Sequence, residues 1–334
     1  MTDSLCLPLD DVSGASLDFD RAADFLELSA FFANDSTALV SDLFNQSGIG
    51  AEADHDDLDE ELTSGEEDLV TSTVARIEDR MDILGPCAYP FDFDARDDLL
   101  TCNFVQGSIG HSAYVLSLVL SNLRAVSPIL GESRLHPSEQ EVRRLREFFQ
   151  YCATAALASE LRGSAWSFGF PRPDGAGFLE KLRQIWETLR DGSVERQPGA
   201  PRRPKDDQVD VFAARPHPDR LPGFPLAAAQ VATGTDAREK SLKGHLSTFK
   251  SRWFAPQPVT EFLAYMIVPF ATPDDQFLDD VRVMGNVLHR LRVPRRVAEA
   301  ARLVEAGETI EGYDRLAEAA QWVADYQGRA TGAA

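Results

Sequence analysis

The chain has 334 residues, 43% of them hydrophobic, and a formal net charge of −21; this is length for a sizeable core and about two domains. The charge is concentrated, because residues 1 to 80 hold 21 Asp/Glu against 3 Lys/Arg, a net of −18, which leaves −3 for the remainder. No run reaches the roughly 18 apolar residues of a membrane span, and Met1-Thr2-Asp3-Ser4 lacks a secretory signal, so a cytoplasmic protein without a membrane partner and with four reduced cysteines is expected.

In chain order, Phe25–Phe32 predicts a short amphipathic helix, and the acidic block Ala51–Glu61 within residues 47 to 68 predicts a solvated segment. A helix from about Asp68 past Met81 follows through Leu69, Val74, Ile77 and Met81, then strand or loop after Pro86 and a buried helix over Ser112–Val126. Ser138 opens a long helix with apolar spacing at Val142, Leu145, Phe148, Phe149 and Cys152, ending before Gly163. Gly163 to Gly177 predicts an ordered loop and Phe178–Leu189 a helix. Residues 191 to 205 lead as a loop into a strand in which Val209, Val211 and Ala213 alternate with Asp210, Phe212 and Ala214.

The turn chemistry of His217–Gly223 and the apolar run Phe224–Val231 then predict a hairpin that brings Gln230 beside Asp210 at a sheet edge. A carboxylate in an apolar strand is costly unless it is paired or bound to a cation, whereas Asp206 and Asp207 read as turn residues. After Thr233-Gly234-Thr235-Asp236, Lys240 and Lys243 fall one turn apart on a predicted helix, which reads equally as a solvated face. Phe262–Val268 predicts a buried strand, and the remainder is expected to be helical, over Asp275–Leu291, Pro294–Ala306 and a last helix through Tyr313, Leu316, Ala320 and Val323. No P-loop, G-x-S-x-G elbow or C-x-x-C pair is present.

The segment from Lys205 to Lys243, with Asp210, the triplet Gln230-Val231-Ala232 and the following Lys240 and Lys243, resembles the PD-(D/E)XK nuclease superfamily. In that superfamily an Asp on one strand and an acid-x-Lys triplet on the next hold Mg²⁺ and orient a water. Here Gln230 retains an oxygen but not the charge, and Ala232 replaces the Lys, which in variants of the superfamily migrates to the following helix. More closely, the pattern is similar to nuclease-like proteins of bacterial anti-phage defence systems.

The resemblance implies an α/β fold with a PD-(D/E)XK-like core of mixed sheet flanked by helices over residues 138 to 270. Ahead of it stand an acidic, partly disordered region (1 to 68) and a mixed α/β module (69 to 137), and behind it a helical part (271 to 330). It implies Mg²⁺ (or Mn²⁺) held by Asp210, Gln230 and the Val231 carbonyl, Lys240 acting on water or phosphate, and a helix acid, with Glu147 the candidate and Glu160 the fallback. Metal-dependent DNA cleavage in defence is the implied activity. An ATPase or helicase of the same system is the implied companion, because the chain has no ATP site of its own.

Residues 201 to 255 hold ten Lys/Arg against six Asp/Glu, which suits a phosphate backbone. The acidic N-terminal region is expected to guard that site or dock a partner. Two rival expectations remain. One is a catalytically inactive relative that binds nucleic acid or scaffolds a partner. The other is an interaction protein that works through its acidic N-terminal region.

Overall fold

A computed structural model describes residues 5, 19–43, 59–124, 129–131, 133–234, 237–272 and 274–329. The chain forms two compact units, one of residues 1–142 and 320–334 and one of residues 143–319. The boundaries of these units fall at 142 and 319. No helix among the described residues is long and apolar enough to cross a membrane.

The first unit is built on α1 (Phe19–Phe32), α2 (Asp59–Leu84), α3 (Ile109–Arg124) and a three-stranded antiparallel sheet. Its strands are β1 (Thr37–Leu39), β2 (Phe91–Asp94) and β3 (Leu99–Cys102), in the order β1-β3-β2. Of the acidic block expected to be solvated, residues 47–58 lie outside the described residues, while α2 already begins at Asp59. α1 is no appendage, since Phe25, Leu26, Leu28 and Phe31 are buried against α2 and the sheet.

That core encloses a charge network. The fully buried Arg80 meets Glu27 at 2.7 Å, Asp24 at 2.9 Å and Asp20 at 2.8 Å. The hydroxyls of Tyr89 and Tyr114 donate to Glu27 Oε1 at 2.7 and 2.9 Å. Burial works against the charge on Arg80, but Glu27, Tyr114, Asp24 and Asp20 outweigh it and hold its pKa well above the usual range.

The second unit is α/β, with a mixed five-stranded sheet flanked by helices, in the order β4-β5-β6-β7-β8. β4 (Ser164–Ser167), β5 (Val211–Ala214) and β6 (Leu226–Val231) are antiparallel neighbours, and β7 (Phe262–Ile267) and β8 (Asn286–Leu288) continue parallel to β6. The helices are α4 (Glu139–Leu161), α5 (Phe178–Leu189), α6 (Leu246–Trp253), α7 (Asp274–Met284) and α8 (Val293–Glu305), and α9 (Leu316–Gly328) closes the chain.

One face of the sheet buries Trp166, Phe212, Leu226 and Ala228 against Phe178, Leu182, Ile185 and Trp186 of α5 and Phe249 and Trp253 of α6. Burying aromatic side chains of this size stabilises by about 1.5–3 kcal/mol each. Val211, Ala213, Ala227 and Ala229, which alternate with that set, are also completely buried. Both faces are therefore covered, so β5 and β6 are nearly continuous apolar runs.

Two local expectations change. The loop expected over Gly163–Gly177 begins with β4, whose Ala165 stands opposite Ala213 of β5 and on its other side donates to the Thr309 carbonyl and accepts from Glu311 N–H. The helix expected over Asp275–Leu291 stops at Met284, because Gly285 takes φ +88° against the Ala264 carbonyl and turns the chain into β8.

Candidate metal centre

Asp210 and Val231 meet at one end of the sheet, with Gln230 next to Val231 on β6. β4 ends at Ser167, β5 starts at Val211 and β6 ends at Val231, and the antiparallel pairing puts all three termini on the same side. Asp210 stands immediately before β5, not within it, one position past the Val211↔Ala229 pair at which the β5/β6 ladder ends. The contact that joins Asp210 to β6 is the one from the Val231 N–H to its carboxyl. The expected sheet edge is instead the end of two interior strands, because β4 and β7 flank β5 and β6.

Asp210 is held tightly. Its N–H donates to the Ala229 carbonyl at 2.8 Å, and its own carbonyl accepts from Phe168 N–H at 2.7 Å, Gly169 N–H at 2.9 Å and Gln150 Nε2 at 2.9 Å. The carboxyl Oδ2 accepts from Val231 N–H at 2.8 Å. Burial drives the Asp210 pKa up to about 7 and Asp206 adds to the rise, while the Val231 N–H and the charge of Lys240 oppose it.

Gln230 is half-buried, and its Oε1 has no hydrogen-bond partner among the described residues. An orphaned amide oxygen and a desolvated carboxyl are both hard oxygen donors of the kind that Mg²⁺ or Mn²⁺ takes. Val231, through its N–H on Asp210, brings its backbone to the same spot. The donor set fits such a cation, although it contains a single carboxylate. Among the described residues no group of three His, Cys, Asp or Glu is placed to hold a metal ion.

The lysines separate. The expected Lys-bearing helix is a short 3₁₀ turn over Arg238–Lys240 followed by turns up to α6, and Thr235 and Asp236 lie outside the described residues. Lys240 is half-buried and acts electrostatically on Asp210. Lys243 instead donates to the Arg282 carbonyl at 2.8 Å, near the end of α7. The two do not share a helix face, because no continuous helix joins them.

The acid expected from α4 is replaced by an amide. Glu147 is exposed and accepts from Tyr151 Oη at 2.8 Å. Glu160 is paired with Arg296 at 2.8 Å. The α4 side chain that reaches Asp210 is Gln150. Its trace in the sequence is an uncharged polar residue set between Phe148-Phe149 and Tyr151-Cys152, inside the buried stripe.

Asp206 caps its own turn by accepting from Gln208 N–H at 3.0 Å, and Asp207 accepts from Trp253 Nε1 at 2.7 Å and Arg252 Nη1 at 3.0 Å. Both are structural supports for the approach to Asp210, with Asp207 and Gln208 at positive φ. Arg202, Arg203 and Lys205 are exposed on this approach, whereas Arg215 and Arg220 follow the other end of β5. The local excess of positive charge is therefore divided between the two ends of the sheet.

No family model, no curated protein and no solved structure matches the chain.

Proposed function

We propose that this protein is a Mg²⁺- or Mn²⁺-dependent phosphodiesterase that cleaves DNA, on a core of the PD-(D/E)XK kind. The observation that carries the reading is the buried Asp210 carboxyl, which takes the Val231 N–H at the end of β6 next to Gln230, whose Oε1 has no partner among the described residues. The order of elements supports it, with a helix, three antiparallel strands and a parallel fourth, and with the Asp before the second strand and the triplet ending the third. Membership of an anti-phage defence system, with an ATPase or helicase as companion, follows from the resemblance of Lys205–Lys243.

A bound divalent cation supplies Lewis-acid polarisation of a phosphoryl oxygen and a more acidic water. Asp210 contributes the negative charge and Gln230 a neutral oxygen, while the Val231 N–H fixes which carboxyl oxygen stays turned inward. Lys240 offers the positive charge that offsets the phosphate, and Arg202, Arg203 and Lys205 present an exposed cationic approach for the strand.

The test is cleavage of plasmid and single-stranded DNA by the full-length protein with Mg²⁺ or Mn²⁺. Asp210→Ala is expected to abolish cutting, and Lys240→Ala to lower the single-turnover rate while leaving Mn²⁺ affinity nearly unchanged. Lys243→Ala should leave the rate near that of the parent. Cutting by Asp210→Ala at the parental rate overturns the assignment.

The lack, among the described residues, of a second carboxylate in the donor set and the buried Ala232 favour one alternative, a non-cleaving relative that binds nucleic acid or scaffolds a partner. DNA binding or partner capture that survives Asp210→Asn, with no cutting by the parent under any divalent cation, identifies that case.

A further inference from the structure

Three donors converge on one main-chain oxygen at the candidate centre, the carbonyl of Asp210, at 2.7, 2.9 and 2.9 Å. Two come from the backbone of Phe168 and Gly169 just past β4, and the third is the side-chain amide of Gln150 on α4. A carbonyl oxygen has two lone pairs, so this crowding pins the residue from two separate elements beyond what sheet pairing requires. Gly169 is itself buried and leaves no room for a side chain. A Cβ there would lie 2.7 Å from Asp210 Oδ1, 3.2 Å from Gln150 Nε2 and 3.4 Å from Asp210 Cβ.

We propose that Gln150 and Gly169 are positioning residues that set the direction of the Asp210 carboxyl toward a divalent cation. Gln150 fixes the main chain of Asp210 from α4. Gly169, by lacking a Cβ, keeps the space that Oδ1 occupies, while Oδ2 stays on the Val231 N–H. The closest atoms to an added methyl belong to two side chains and not to a backbone. The Asp210 carboxyl and the Gln150 amide therefore move in response to Gly169→Ala, and the strands keep their pairing. The inference rests on the reading of Asp210 as a metal ligand, with Gln150 and Gly169 acting through it and not touching the cation.

The experiment uses the full chain and two variants, Gly169→Ala and Gln150→Met, with two readouts besides activity. The first is hydrogen exchange of the Val231 amide, which reports whether Oδ2 still accepts its bond. The second is Mn²⁺ affinity by calorimetry. The expected result is faster exchange at Val231 and affinity lowered about 10–100-fold, the range typical when a partner that orients a ligand is removed. Circular dichroism of both variants should remain that of the parent.

Parental exchange at Val231 together with parental Mn²⁺ affinity in both variants overturns the proposal while leaving the metal reading standing. Should the parent itself bind no Mn²⁺ while Val231 exchange rises in the variants, the metal reading falls and the control of the carboxyl direction stands. Gln150→Met keeps the length of the side chain without its donor, so it decides the matter if Gly169→Ala fails to fold.

Discussion

Asp210 is a carboxyl whose surroundings disfavour its charge, and that has a measurable consequence for stability. Its pKa rises from 3.8 to about 7 on folding, chiefly through burial. The folded protein therefore holds a proton that the unfolded chain releases. The contribution of this group is complete below about pH 4 and is lost as pH rises through about 7, a difference on the order of 4 kcal/mol. Asp210→Asn, neutral at every pH, should match the parent near pH 4 and exceed it at pH 8, as read by denaturant unfolding across that range. Mn²⁺ at pH 8 should stabilise the parent and not the variant. A parent whose stability rises between pH 4 and pH 8 by the same amount as the variant's refutes the account of this carboxyl.

At the scale of elements, the site depends on how α4 passes into β4 and how β4 lies on β5. Gly163 forms that passage, and a Cβ at this position would stand 2.2 Å from the Ala214 carbonyl oxygen and 2.9 Å from its carbon. Those are backbone atoms within the β4/β5 pairing, where Ser164 faces Ala214, and they cannot yield without breaking the ladder. Gly163→Ala should therefore destabilise by about 3 kcal/mol or more. Gly244, where an added Cβ meets nothing within 4 Å, is the matched control, and Gly244→Ala should stay within about 0.5 kcal/mol of the parent. Chemical denaturation of the two variants checks both values, and equal stabilities would show that the passage tolerates a side chain.

For the molecule as a whole, the concentration of acid in the N-terminal part is partly structural. Asp20, Asp24 and Glu27 belong to the Arg80 network that lies inside the first unit, so deleting residues 1 to 68 removes α1 and three partners of a buried cation along with any guarding tail. Arg80→Met leaves those carboxylates facing one another without their cation. Breaking a buried ion pair from one side costs about 3–5 kcal/mol, and hydrogen exchange should show amides of α1 and α2 losing protection. Unchanged protection in both helices would mean that the network carries no such weight.

Much of the framework was legible in the amino-acid pattern. Periodicity placed the helices at 139–161, 178–189 and 293–305 and the strand at 262–267, because each buries one stripe or one run of apolar side chains. Turn residues placed the hairpin of β5 and β6 that follows Asp210. β4 and β8 were not legible, since four and three residues are too short to show a period and their pairing is supplied by strands distant in sequence. Nor was the choice among the polar residues of α4. Glu147 and Gln150 both border the apolar stripe, and only the seating of α4 on the sheet gives the amide, and not the acid, to Asp210. Lys240 and Lys243 were likewise separated by the packing of α7, whose Arg282 carbonyl takes one of them. Local chemistry determined which residue types stand near the end of β5 and β6. Long-range packing decided which of them meet, because a hydrogen bond of under 3 Å between residues 60 positions apart depends on every element that lies between.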